Sequence, residues 1–61
     1  MRRYVAIEPC NERLGFAVVV NDSGDGQPPN REVFHGYWDE CEIIHDAFVR
    51  VGYASLVCHT E

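Results

Sequence analysis

Residues 34–46 read FHGYWDECEIIHD. Four carboxylates (Asp39, Glu40, Glu42, Asp46), two histidines, one cysteine and three aromatics crowd into this window. The spacing predicts the start of a helix. Asp39 is placed as an N-cap, and Glu42 stands three residues later, as a capping box requires. Trp38 just before that cap and Ile43 at the fourth helical position have the spacing of a hydrophobic staple. Farther on, Cys41, Ile44, Phe48 and Val51 recur at the helical period with Ala47 beside them, giving an apolar stripe. Gly52 then follows as the expected left-handed cap residue.

Outward from this helix the chain reads as strands. Tyr4–Glu8 (YVAIE) alternates Val5 and Ile7 with Tyr4, Ala6 and Glu8, the period of a strand. After the turn NERLG, Phe16–Asn21 (FAVVVN) is β-branched and apolar on both faces, as suits a central strand. The first two strands are expected to form a hairpin. Residues 22–30 (DSGDGQPPN) hold two glycines and two prolines and form a loop, read as a connector with a recognition tip as the alternative. Glu32–Tyr37 is the third strand and Tyr53–His59 a short final one. The fold class is therefore α+β in one small domain spanning 1–61: a three-to-four-stranded antiparallel sheet with one helix on one face, in the order β-β-β-α-β.

Composition narrows the function. The chain has 61 residues, 46% of them hydrophobic, enough for one small core and too few for a deep substrate cleft. Ten Asp and Glu oppose five basic residues, all Arg, for a formal net charge of −5. That balance speaks against direct nucleic-acid binding, which depends on cations neutralising phosphates, and favours a basic partner. No run approaches the roughly 18 apolar residues of a membrane span, and MRRYVAIEPCNER does not read as a secretory leader. Three cysteines without CxxC spacing fit reduced thiols in a cytoplasm rather than a disulfide scaffold.

Two chemical readings of residues 34–46 are weighed and set aside. Cys41 and His45, four apart on the helix, with Cys58 and His59, are candidate zinc ligands, but their spacing matches no familiar zinc pattern and Cys41 belongs to the apolar stripe. Acid/base catalysis needs paired groups with divergent pKa values in a dry pocket, whereas these lie on a helix start; Ser23 and Ser55 have no motif context. The chain is expected to be non-enzymatic, without metal or cofactor. Recognition remains. Asp39, Glu40, Glu42 and Asp46 form an acidic ridge, with Asp22, Asp25 and Glu32 in the neighbouring loop and strand. Carboxylates three or four apart on a helix lie about 5–6 Å from one another, comparable with phosphate spacing along one nucleic-acid strand. Tyr37 and Trp38 are the candidate aromatic anchors beside them. Helix physics also accounts for the four helix acids locally, through the dipole at the first turn and an Asp46–Arg50 pair.

YVAIEP at 4–9, GFAVVV at 15–20 and the His35-Gly36 pair before the acidic helix start resemble the HicB antitoxin family. The resemblance implies a partial ribonuclease-H-like fold of three antiparallel strands, a helix and a further strand. The chain departs from the family in its DSGDGQPPN loop and its CEIIHDAF helix. In size, acidity and lack of a catalytic motif it is also similar to the small phage anti-CRISPR proteins, a class without a shared motif. The expected function is an acidic inhibitor that binds a basic nucleic-acid-binding protein or complex, a CRISPR effector subunit first, and blocks its DNA- or RNA-binding surface. The alternative is a HicB-like antitoxin domain neutralising a small toxin. Either acts in a bacterial cytoplasm, as monomer or homodimer.

Overall fold

A computed structural model describes residues 2–10 and 14–57 of the chain. The elements follow in the order β1 (Tyr4–Pro9), β2 (Phe16–Asn21), β3 (Arg31–Gly36), α1 (Trp38–Arg50) and β4 (Ala54–Ser55), which is the expected α+β succession. The strands lie in one sheet in the order β3-β2-β1-β4.

β1 and β2 form the expected antiparallel hairpin, from Tyr4 opposite Asn21 to Pro9 opposite Phe16. β2 and β3 are also antiparallel, but Val18 faces Phe34 while Val19 faces Glu32. Val33 is therefore the extra residue of a β-bulge. The bulge lets Val33 and Phe34 both pack toward the helix side, where each meets the core.

β4 departs from the expected antiparallel sheet: it pairs parallel to β1, Tyr4 with Ala54 and Val5 with Ser55. The reason is length. A 13-residue helix spans about 20 Å, close to the span of a six-residue strand. It returns the chain to the end where β3 began, so the next strand repeats the direction of β3 and thus of β1. Of the expected 53–59 strand, the ladder covers Ala54–Ser55; residues 58 and 59 lie outside the described residues.

α1 covers one face of the sheet. Val5, Val18, Val20 and Cys41 are fully buried there, ringed by Ile7, Phe16, Val33, Phe34, Ile44, Phe48 and Tyr53. Ala6, Ala17 and Val19 form a second cluster with Cys10, as the period-2 alternation of a strand requires. The helix stripe is shifted from the expected one: Cys41, Ile44 and Phe48 turn inward and His45 joins them, whereas Ala47 and Val51 are exposed.

The helix C-terminus closes as expected, around Gly52 at φ +117. Gly52 N–H donates to Val49 O and Tyr53 N–H to Phe48 O, both at 3.0 Å, the bond pair of a Schellman motif. Phe48 and Tyr53, which flank that motif, meet edge to face with centroids 4.9 Å apart.

The N-terminus corrects the expected cap. Tyr37, not Asp39, is the N-cap residue, and the Glu40 carboxylate accepts its backbone N–H at 2.9 Å. Gly36 makes this frame possible: a Cβ there would lie 2.5 Å from Glu40 Oε1. Trp38 packs edge-on to Phe16, centroids 5.2 Å apart, while Ile43 is 70% exposed, so the expected Trp38–Ile43 staple does not form.

Candidate functional site

Register divides the molecule into two ends. Pro9, Phe16 and Gly36 mark one end of the sheet, where α1 starts; Tyr4, Asn21, Arg31 and Ala54 mark the other, where α1 finishes. The acidic residues singled out from the sequence do not all lie at one end. Asp39, Glu40 and Glu42 sit at the first end, joined by Glu8 near the end of β1. Asp22 and Asp25, in the loop after β2, and Glu32, second residue of β3, sit at the opposite end about 20 Å away. Asp46 belongs to the second half of α1.

Cations are sorted the same way. Arg2 and Arg3 precede β1, Arg31 opens β3 and Arg50 ends α1, so every described arginine lies at the loop end. Among the described residues, the helix-start end carries only negative charge.

The loop-end acids are tied down locally. Asp22 pairs with Arg31, and that hydrogen bond, reinforced by the charges of Arg31 and Arg3, holds its carboxyl below the ordinary 3.8. Asp25 accepts the Gln27 N–H at 2.9 Å and Asn21 Nδ2 at 3.0 Å; the Gln27 bond first of all holds its pKa down as well. Asn21 organises this loop. It is 5% exposed, its amide also donates to Gln27 O at 2.9 Å, and its Oδ1 accepts from Ser23 N and Oγ at 3.0 and 2.7 Å. A buried Asn with its hydrogen-bonding capacity so widely used is a structural centre. Asp22 and Asp25 thus take part in the loop's own network while remaining exposed.

The other end carries the helix-start acids. Asp39 and Glu40 are exposed and Glu42 half-buried. Tyr37 is 74% exposed, whereas Trp38 is half-buried on Phe16, so Tyr37 is the freer anchor. Leu14, 91% exposed, belongs with it and went unread in the sequence. A Cβ on Gly15 would come 2.7 Å from Gly36 O, so the β1–β2 turn abuts the β3–α1 joint. The residues flanking that contact, Leu14 and Tyr37, are thereby brought to one end. The only sequence signal was an apolar residue inside a polar turn.

Of the four candidate metal ligands, Cys41 and His45 are described, and each has other partners. Cys41 Sγ points to Phe16 O and Gly36 O, 3.5 and 3.8 Å away, and burial pushes its thiol pKa up. His45 instead places Nδ1 3.0 Å from Asp46 Oδ1 and Nε2 2.6 Å from Ser55 Oγ. Among the described residues no three His, Cys, Asp or Glu side chains are grouped as a metal site; Cys58 and His59 lie outside them. Nor is any described helix long and apolar enough to cross a membrane.

Comparison of the chain with protein-family models, with curated proteins and with solved structures finds no match.

Proposed function

We propose that this protein is an acidic inhibitor that docks its helix-start end on a basic nucleic-acid-handling protein and occupies the surface where DNA or RNA would lie. A bacterial CRISPR effector is the first target class, which would make the chain an anti-CRISPR protein. The observation that carries the reading is the separation of charge. Among the described residues, Glu8, Asp39, Glu40 and Glu42 share the sheet end of the exposed Tyr37 and Leu14, while Arg2, Arg3, Arg31 and Arg50 are at the far end. Apolar anchors within a charged rim are the usual anatomy of a binding hot spot. Negative charge carried by the described residues of that end steers a partner of opposite sign. Tyr37 supplies the anchor and Asp39 and Glu42 the recognition charge; Glu40 is partly committed to its cap.

The test is target-DNA binding by purified effector complexes, with and without the protein. Inhibition is expected to weaken with added salt. It is also expected to be lost when Tyr37→Ala is combined with Asp39→Lys and Glu42→Lys. Inhibition undiminished in that triple variant would refute the assignment of the surface.

A HicB-like antitoxin domain is the second reading, favoured by the β-β-β-α-β order alone. It replaces the effector with a small toxin, so neutralisation of a co-expressed toxin, with no effect on effector complexes, would select it.

A further inference from the structure

α1 and β4 bring together three side chains that the partner-binding reading does not use. His45 is 7% exposed. Its ring bridges Asp46 Oδ1, at 3.0 Å from Nδ1, and Ser55 Oγ, at 2.6 Å from Nε2. Ser55 Oγ also accepts the Val57 N–H at 3.2 Å. A hydroxyl has one proton to donate. The carboxylate oxygen of Asp46 only accepts, so its contact with Nδ1 places a proton on Nδ1; in the neutral ring Nε2 is then the acceptor for the Ser55 hydroxyl proton. The three groups therefore stand in the order carboxylate, imidazole, hydroxyl, the arrangement that activates a serine.

The backbone adds a fourth element. Ala54 N–H donates to Arg3 O and Leu56 N–H to Val5 O. Successive N–H groups of a strand point to opposite sides, so the Ser55 N–H is directed away from β1. β4 is the last strand of the sheet, and this N–H therefore lies along its outer edge. There it can donate to the oxygen of a carbonyl attacked by the Oγ of the same residue.

We propose that Ser55 is a nucleophile toward activated carboxylic esters presented at this edge, with His45 as general base and Asp46 as the positioning residue. Oγ bonds to the carbonyl carbon as its proton passes to Nε2. Collapse of the tetrahedral intermediate breaks the bond to the leaving oxygen, which takes the proton from Nε2 and departs as the alcohol. Water then attacks the acyl-serine, giving its proton to Nε2, and releases the carboxylic acid with the Ser55 hydroxyl restored. This site is at the end of the sheet opposite the acidic anchor surface, and its chemistry is independent of any partner.

The same contacts would equally tether β4 to the helix, and reactivity separates a tether from a nucleophile. The probe is a fluorophosphonate, from which Oγ displaces fluoride, read by peptide mass spectrometry. Ser23, the chain's other serine, is the internal comparison. Ser55 is expected to label on the order of 100-fold faster than Ser23, and His45→Gln to remove that advantage. Asp46→Asn alters an exposed carboxylate, so it is expected to keep the fold by circular dichroism and still slow labelling at least several-fold. Nitrogen NMR of the ring is expected to show the Nδ1–H tautomer in the native chain and a shift toward Nε2–H in Asp46→Asn. Labelling of Ser55 no faster than Ser23, or a native Nε2–H tautomer, would overturn the proposal. If His45→Gln does not fold, Asp46→Asn decides alone.

Discussion

Cys41 and Gly36 show how single side chains, or their absence, set the helix in place. Cys41 is fully buried beneath the first turn, where desolvation first of all, with help from the neighbouring Glu40 charge, raises its thiol pKa. Thiolate is the reactive form, so Cys41 combines a low thiolate fraction with no access. Iodoacetamide at neutral pH is expected to modify the half-buried Cys10 well before Cys41, as peptide mapping would show; equal rates would contradict the packing. Gly36 acts by leaving space. Its replacement by Ala would drive a methyl group into Glu40 Oε1 and bring it within 3.0 Å of Phe34 Cε2. The flexible carboxylate would move first, releasing the Tyr37 N–H. Gly36→Ala is expected to cost about 1–2 kcal/mol in urea denaturation, the scale of a lost cap with some repacking. Glu40→Ala, which removes the cap without the clash, should cost less. A Gly36→Ala protein as stable as the native chain would show that the cap does not depend on that space.

At the scale of elements, what was legible in the sequence is what short-range chemistry decides. β2 begins and ends where FAVVVN does, because a β-branched run with polar flanks has no competing assignment. The helix C-terminus was equally legible, since only Gly52 offers an unstrained left-handed residue there. Gly52→Ala is expected to destabilise the chain by about 1 kcal/mol, measurable in the same denaturation series. The N-terminus was misread because two capping frames lie two residues apart. Asp39 with Glu42 is the better local pair, yet the packing of Trp38 on Phe16 and the room at Gly36 select Tyr37 with Glu40. The His45–Ser55 contact was not legible at all, for it depends on β4 running parallel to β1. The 22–30 loop was legible as a loop but not as a network centred on Asn21. That network titrates. Asp22 and Asp25 have folded pKa values below the ordinary 3.8, so each binds its proton less readily folded than unfolded. Their stabilisation is present above about pH 4 and is lost as pH falls through the lower folded values. Stability measured from pH 5 down to pH 2 is expected to drop less steeply in Asp22→Asn/Asp25→Asn than in the native chain.

Across the whole molecule, net charge alone does not describe what a partner meets. The formal −5 is an average over two unlike ends, one where Asp22 is neutralised by Arg31 and one where Asp39 and Glu42 stand without a described arginine nearby. A field of this form orients the approaching protein as well as attracting it. It follows that charge removal should act by position. With the inhibited effector immobilised, Asp39→Asn/Glu42→Asn is expected to slow association roughly 10-fold at low salt, with the difference shrinking as ionic strength rises and the Debye length contracts. Asp22→Asn/Asp25→Asn changes the net charge by the same two units at the other end and is expected to leave the association rate nearly unchanged. Equal slowing by both pairs would mean that total charge governs the encounter, and the docking end would then have to be assigned by its apolar residues, Tyr37 and Leu14, alone.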